Sequence, residues 1–161
     1  YINDENLSQS DCVYLEDNFF TLKSPEFSKP IKFYGTPWQP PFMNWAFNVP
    51  RDLLHFYWEK IPDNTDILIT HSPPEGIGDY VPFTRSNEGC SSLRHHVEKR
   101  IKPALHIFGH IHEGYGSKVI DETLYVNAST LTGGYDPSNK PVIIDLTEVD
   151  GKFITKILYD E

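Results

Sequence analysis

Short apolar runs alternate along this chain with polar loops rich in proline and glycine, and two segments between them carry apolar residues at helical spacing. Cys12-Val13-Tyr14-Leu15 and Pro30-Ile31-Lys32-Phe33-Tyr34-Gly35 read as strands, separated by a turn-prone stretch with Ser24-Pro25 and Ser28-Lys29. Residues 50–61 read as a helix opened by Pro50, with Leu53, Leu54, Tyr57, Trp58 and Ile61 on its buried face. Ile67-Leu68-Ile69-Thr70 is a short apolar strand, and residues 73–88 form a Pro- and Gly-rich loop. Residues 89–101 give the clearest helical pattern: Cys90, Leu93, Val97 and Ile101 make one continuous stripe, and Pro103 helps end it. A strand over 104–108 follows at once, so the order strand, loop, helix, strand predicts a parallel pair with a crossover helix.

The last third carries short strands over 118–120, 123–126, 142–146 and 153–157, with Asp150-Gly151 as a hairpin signal. The prediction is a mixed α/β sheet, parallel early and antiparallel late, in one domain spanning 1–161. One loop resists the pattern. Residues 36–47, Thr-Pro-Trp-Gln-Pro-Pro-Phe-Met-Asn-Trp-Ala-Phe, are too rich in proline for regular structure and too aromatic for a simple linker.

Composition narrows the functional classes. The chain of 161 residues carries 14 Lys and Arg against 23 Asp and Glu, a net charge of −9. No stretch concentrates basic residues, which argues against a nucleic-acid backbone as partner. No apolar run approaches the roughly 20 residues of a membrane-spanning helix. The polar, acidic start is not a secretory signal, and the lack of an initial methionine fits a processed or partial chain. Cys12 and Cys90 lack both disulfide-framework and metal-ligand spacing; both read as small buried hydrophobes, Cys12 opening a strand, in a cytoplasmic or other reducing compartment. Asn6-Leu7-Ser8 and Asn127-Ala128-Ser129 match the glycosylation sequon, and both are taken as chance.

The candidate chemistry lies in the histidines. His95 and His96 fall off the apolar stripe of their helix and read as surface residues; His55 reads as structural or exposed. His106 sits inside a strand and reads as a hydrogen-bonded structural residue. His71, His110 and His112 differ, because each follows the end of an apolar strand beside turn-forming residues. Gly109 lets the backbone turn sharply just before the His-x-His pair. Imidazoles so placed are candidate ligands for one metal or two adjacent metals, with zinc, iron, manganese or nickel favoured over magnesium by ligand type. A two-metal site also needs a bridging carboxylate. Neither Asp66, Asp79 nor Asp145 has a comparable strand-end setting.

Ile69-Thr70-His71-Ser72-Pro73-Pro74 and Phe108-Gly109-His110-Ile111-His112 resemble the last two motifs of the calcineurin-like metallophosphoesterases. Further phrases resemble the metallophosphoesterase domain-containing subfamily of animals: Tyr34-Gly35-Thr36-Pro37-Trp38, Trp45-Ala46-Phe47-Asn48, Glu113-Gly114-Tyr115-Gly116 and Val126-Asn127-Ala128-Ser129-Thr130. The resemblance implies an αββα sandwich, mixed sheets flanked by helices, with two divalent or trivalent metal ions at the sheets' loop ends. It implies His71 and His110 as ligands of one metal and His112 as a ligand of the other. Some subfamily members lack the first histidine of the Gly-His-x-His motif; this chain keeps it at His110. The family's Asp-x-His, Gly-Asp-x-x-Asp and Gly-Asn-His motifs do not occur in this sequence, and with them go the bridging Asp, the Asn ligand and the catalytic histidine. The chain is therefore expected to be the C-terminal portion of such a domain, with no catalytic residue of its own and in need of the N-terminal half in cis or in trans.

By this resemblance the complete domain hydrolyses phosphomonoesters or phosphodiesters, nucleotides among them, through its metals. The rival expectation is a non-catalytic structural or interaction subunit that keeps part of the phosphoesterase fold. Residues that bind substrate are not assigned: the aromatic loop 38–47 and the turn 113–116 are candidates, and packing explains the aromatics equally well.

Overall fold

A computed structural model describes residues 12–158. Its centre is a six-stranded mixed sheet built from β1 (Asn18–Leu22), β2 (Ile31–Thr36), β3 (Ile67–Thr70), β6 (Leu105–Phe108), β7 (Gly116–Ile120) and β8 (Thr123–Asn127). The order across the sheet is β1-β2-β3-β6-β8-β7. The four central strands run parallel, with β1 and β7 antiparallel at the two edges. Antiparallel pairing thus opens the sheet as well as closing it, and β8 joins the parallel centre, which corrects the expected division into early and late halves. The predicted crossover from β3 to β6 is present, carried by α2 (Ser91–His96).

Side chains alternate between the two faces of the sheet. Tyr34, Leu68, Phe108 and Tyr125 face a helix layer and pack with Leu54 and Trp58 of α1 (Leu54–Trp58) and with Leu93, Val97 and Ile101. Ile31, Ile67, Leu105, Leu124 and Val126 face the other way, onto Phe153 and a hairpin of β9 (Ile143–Val149) and β10 (Lys152–Leu158). Asp150 and Gly151 both have positive φ, +50° and +74°, as the two-residue turn of a right-twisted hairpin requires. A two-stranded ribbon, β4 (Tyr80–Val81) and β5 (Ser86–Asn87), decorates the loop after β3.

Three local expectations need correction. Residues 12–15 are irregular and Cys12 is exposed; the first strand is instead 18–22, made by pairing with β2 rather than by an apolar face, since Phe19 stays 63% exposed. The chain enters that strand through Asp17, at φ +47°. Its carboxylate accepts from Thr36 Oγ1 at 2.7 Å, Trp38 Nε1 at 2.9 Å and Lys60 Nζ at 2.9 Å. Burial alone would raise the Asp17 pKa; the hydrogen bonds from Lys60, Thr36 and Trp38 outweigh it, and the net shift is downward. Over 50–61 only Leu54–Trp58 is α-helical, entered by a turn from Pro50, and Leu53 points outward at 44% exposure. The second helix is α only to His96 and widens to a π-helical turn over Val97–Ile101, closed by Lys102 at φ +48°. Its stripe of Cys90, Leu93, Val97 and Ile101 is buried as predicted. The Asn6 sequon lies outside the described residues.

Candidate metal centre

The carboxyl ends of the parallel strands β3, β6 and β8 open onto one cavity of about 500 Å³. This is where open α/β sheets bind ligands, because adjacent loops diverge there. His71 leaves β3, His110 and His112 leave β6, and all three line the cavity with Ser129 and Thr130 beyond β8. His71 Nε2 lies 3.2 Å from His110 Nδ1, with ring centroids 4.8 Å apart. His112 opens a short 3-10 turn, and its ring meets the Tyr135 ring edge-on at 5.1 Å. Among the described residues, no three His, Cys, Asp or Glu side chains converge into a complete metal-holding group.

The His71–His110 pair suits a metal in two respects. Two nitrogens held about 2.0–2.1 Å from one ion at a tetrahedral angle stand roughly 3.3 Å apart, close to the spacing here. Both rings also favour the neutral form that ligates. Burial first, then the neighbouring His71 and His112, push the His110 pKa down to about 4, and burial lowers that of His71. Among the described residues, no carboxylate joins this pair in a metal-holding group.

Backbone geometry aims these rings. His110 has φ +69°, and Ile111 N–H bonds across it to Gly109 O at 2.8 Å, closing a γ-turn of the strained, positive-φ hand. Gly109 N–H in turn donates to His71 O at 3.0 Å, tying the two histidine loops together. From beneath, the buried Asn127 donates through Nδ2 to Ile111 O at 2.8 Å and Gly78 O at 3.0 Å. Its Oδ1 accepts from Ser129 N at 3.1 Å and Ser129 Oγ at 2.7 Å. Asn127 is only 1% exposed, so its sequon is inert in the fold, while its amide pins the residue between His110 and His112. Gly114 is needed beside it, since a Cβ there would lie 1.9 Å from Gly78 O.

The aromatic loop divides between the two roles left open for it. Trp38 packs on Tyr57 at 4.5 Å and Phe47 at 5.7 Å, away from the cavity. Phe42 and Trp45 line the cavity and meet the His110 ring edge-on at 5.2 and 6.3 Å. Of the 113–116 turn, Glu113 reaches the cavity. His106 is wholly buried and hydrogen-bonded, as expected of it. His55, His95 and His96 lie on the helices, away from the cavity lining, with His95 exposed. Asp79 is buried and closes its loop by accepting from Gly76 N and Gly89 N at 2.9 and 3.0 Å, a role that its place in the sequence does not reveal.

A mixed sheet with helices on one face and histidines at its strand ends defines a partial metallophosphoesterase fold. Over the stretch matched, the chain belongs to the metallophosphoesterase domain-containing proteins. It is 46% identical over 147 residues to Homo sapiens metallophosphoesterase domain-containing protein 1, covering 89% of this chain and 43% of that protein. It is 43% identical over 138 residues to the Caenorhabditis elegans UPF0046 protein T07D4.2, covering 85% of this chain and 33% of that protein. The chain thus spans less than half the length of these curated relatives. No family model matches it. A crystal structure at 18% identity shares the fold with a TM-score of 0.50, over 71% of this chain and 45% of that one. The family name carries phosphoester chemistry and divalent metal ions in general terms. Among the described residues, no helix is long and apolar enough to cross a membrane.

Proposed function

We propose that this chain supplies the strand-end histidines of a dinuclear metal centre that hydrolyses phosphomonoesters or phosphodiesters in the longer protein. The observation that carries the reading is that His71, His110 and His112, leaving two strand ends, all line one cavity, with ring nitrogens of the first two 3.2 Å apart. His71 and His110 would hold one ion and His112 the other, and the remaining ligands would come from the longer protein. Metal ions bound there supply Lewis acidity toward a phosphate and a nucleophile at neutral pH. The three imidazoles position ions and do not themselves move protons. Phe42, Trp45 and Tyr135 wall the cavity, and a nucleotide is one phosphate ester whose base would find aromatic surface to pack against there.

Metal content of the full-length protein, measured by plasma mass spectrometry for wild type and His110→Ala, tests the ligand assignment. The variant should lose at least one equivalent; unchanged content rejects the assignment. The 161-residue chain alone should show no turnover of aryl phosphates with added manganese, because its donor set is partial. Robust turnover by the chain alone would refute that half of the reading.

A further inference from the structure

We propose that His106, buried in the sheet below the cavity, is a positioning residue that fixes His71 for metal binding through the hydroxyl of Thr70. The inference rests on His71 being a ligand.

His106 pairs with Leu68 in the parallel register of β3 and β6, so its side chain shares the helix-facing side with Leu68 and Thr70. Its Nε2 lies 2.9 Å from Thr70 Oγ1, and Thr70 Oγ1 lies 2.8 Å from Ser72 O. A carbonyl only accepts, so the single hydroxyl proton of Thr70 goes to Ser72. Thr70 Oγ1 must then accept from His106, which sets the protonated nitrogen as Nε2. The result is a directed chain, His106 Nε2–H to Thr70, then Thr70 O–H to Ser72, that brackets His71 on both sides. With Gly109 N–H on His71 O, the main chain around the ligand is fixed at three points.

This arrangement carries a penalty that packing alone would avoid. His106 is fully buried, and its Nδ1 has no hydrogen-bond partner. A leucine would fill the site without burying a bare nitrogen. The ring is held edge-on by Phe108 at 5.0 Å and Tyr125 at 5.6 Å, so it has little freedom to seek another partner. Donation to Thr70 is therefore what the imidazole does there. Groups hydrogen-bonded behind metal-ligating side chains typically change metal affinity by about 10–100-fold when removed, and His106 reaches His71 one bond further back, through Thr70.

The test is Mn²⁺ binding to the full-length protein by calorimetry, for wild type, His71→Ala, His106→Leu, Thr70→Val, the His106→Leu/Thr70→Val pair and His106→Gln. His106→Leu and Thr70→Val should each weaken binding about 10–100-fold. The double variant should bind no worse than the weaker single, and His106→Gln, whose amide can donate to Thr70, should recover part of the loss. Ile31→Ala, in the opposite core, controls for general destabilisation and should leave affinity unchanged. Nitrogen-15 NMR of His106 should show a protonated Nε2 and a bare Nδ1; the other tautomer overturns the proposal. If His106→Leu fails to fold, Thr70→Val alone decides, since it keeps volume and removes the acceptor. Wild-type affinity in Thr70→Val with reduced affinity in His71→Ala refutes the positioning role and leaves the ligand assignment standing. Wild-type affinity in His71→Ala refutes both.

Discussion

The two ends of this molecule bury their side chains for different reasons. In the β9–β10 hairpin, burial follows strict alternation, and one side chain, Phe153 at 7% exposure, anchors the ribbon to the sheet. At and just below the carboxyl ends of β3, β6 and β8 the buried residues include Thr70, Ser72, His106, Asn127 and Ser129, polar groups set among apolar ones. The hairpin relies mainly on the hydrophobic effect, and many apolar side chains would serve. The strand ends need particular donors and acceptors in particular places, because their task is to hold three loops at fixed separations.

Substitutions can break this contrast, and the largest effect is expected in the hairpin. Phe153→Ala should lower stability by about 3 kcal/mol in urea denaturation, through lost burial and the cavity left beside Phe27. The adjacent Ile154→Ser, at a half-exposed position, should change it by under about 0.5 kcal/mol. A similar cost for both would mean that the hairpin is not held by alternation.

Asn127→Leu should cost about 2–3 kcal/mol despite its apolar replacement, because Ile111 O and Gly78 O lose their donor in a buried site. Amide exchange should accelerate across 110–115 and leave β9 and β10 protected. Uniform loosening would contradict the local bracing.

Acid should also act unevenly. Burial pushes the His106 pKa down to about 3, against about 6.5 in an unfolded chain. The unfolded state therefore binds the extra proton first, and stability present above pH 6.5 is lost as pH falls toward 3. At pH 5 this ring alone should account for roughly 2 kcal/mol, read as the share of the pH 7.5 to pH 5 stability loss that vanishes in His106→Leu.

The same contrast explains what could be read from the sequence. Runs such as Ile67–Thr70 and the stripe Cys90, Leu93, Val97 and Ile101 were legible because local periodicity and burial agree there. The hairpin was legible from Asp150-Gly151 and the alternation around it. Strand 18–22 was not, since its residues are half exposed and only pairing with β2 makes it a strand. His71, His110 and His112 were chosen for their strand-end setting, and the fold brings them to one cavity. Asn127 could not be chosen that way: its partners lie 16 and 49 residues distant in the chain, and its local sequence carried a different signal, the sequon. Thr70, too, gains its role only from a histidine 36 positions later.

His110 itself sits in a conformation that a side chain resists, at φ +69°. The left-handed region costs a residue with a Cβ about 1–2 kcal/mol relative to the ordinary helical one, and glycine escapes that cost. His110→Gly should therefore be more stable than His110→Ala by about 1 kcal/mol in thermal denaturation, both variants lacking the ring that faces His71. Backbone ease at this position favours the one residue that has no ring, so the imidazole proposed as a ligand is kept against the local preference of the main chain.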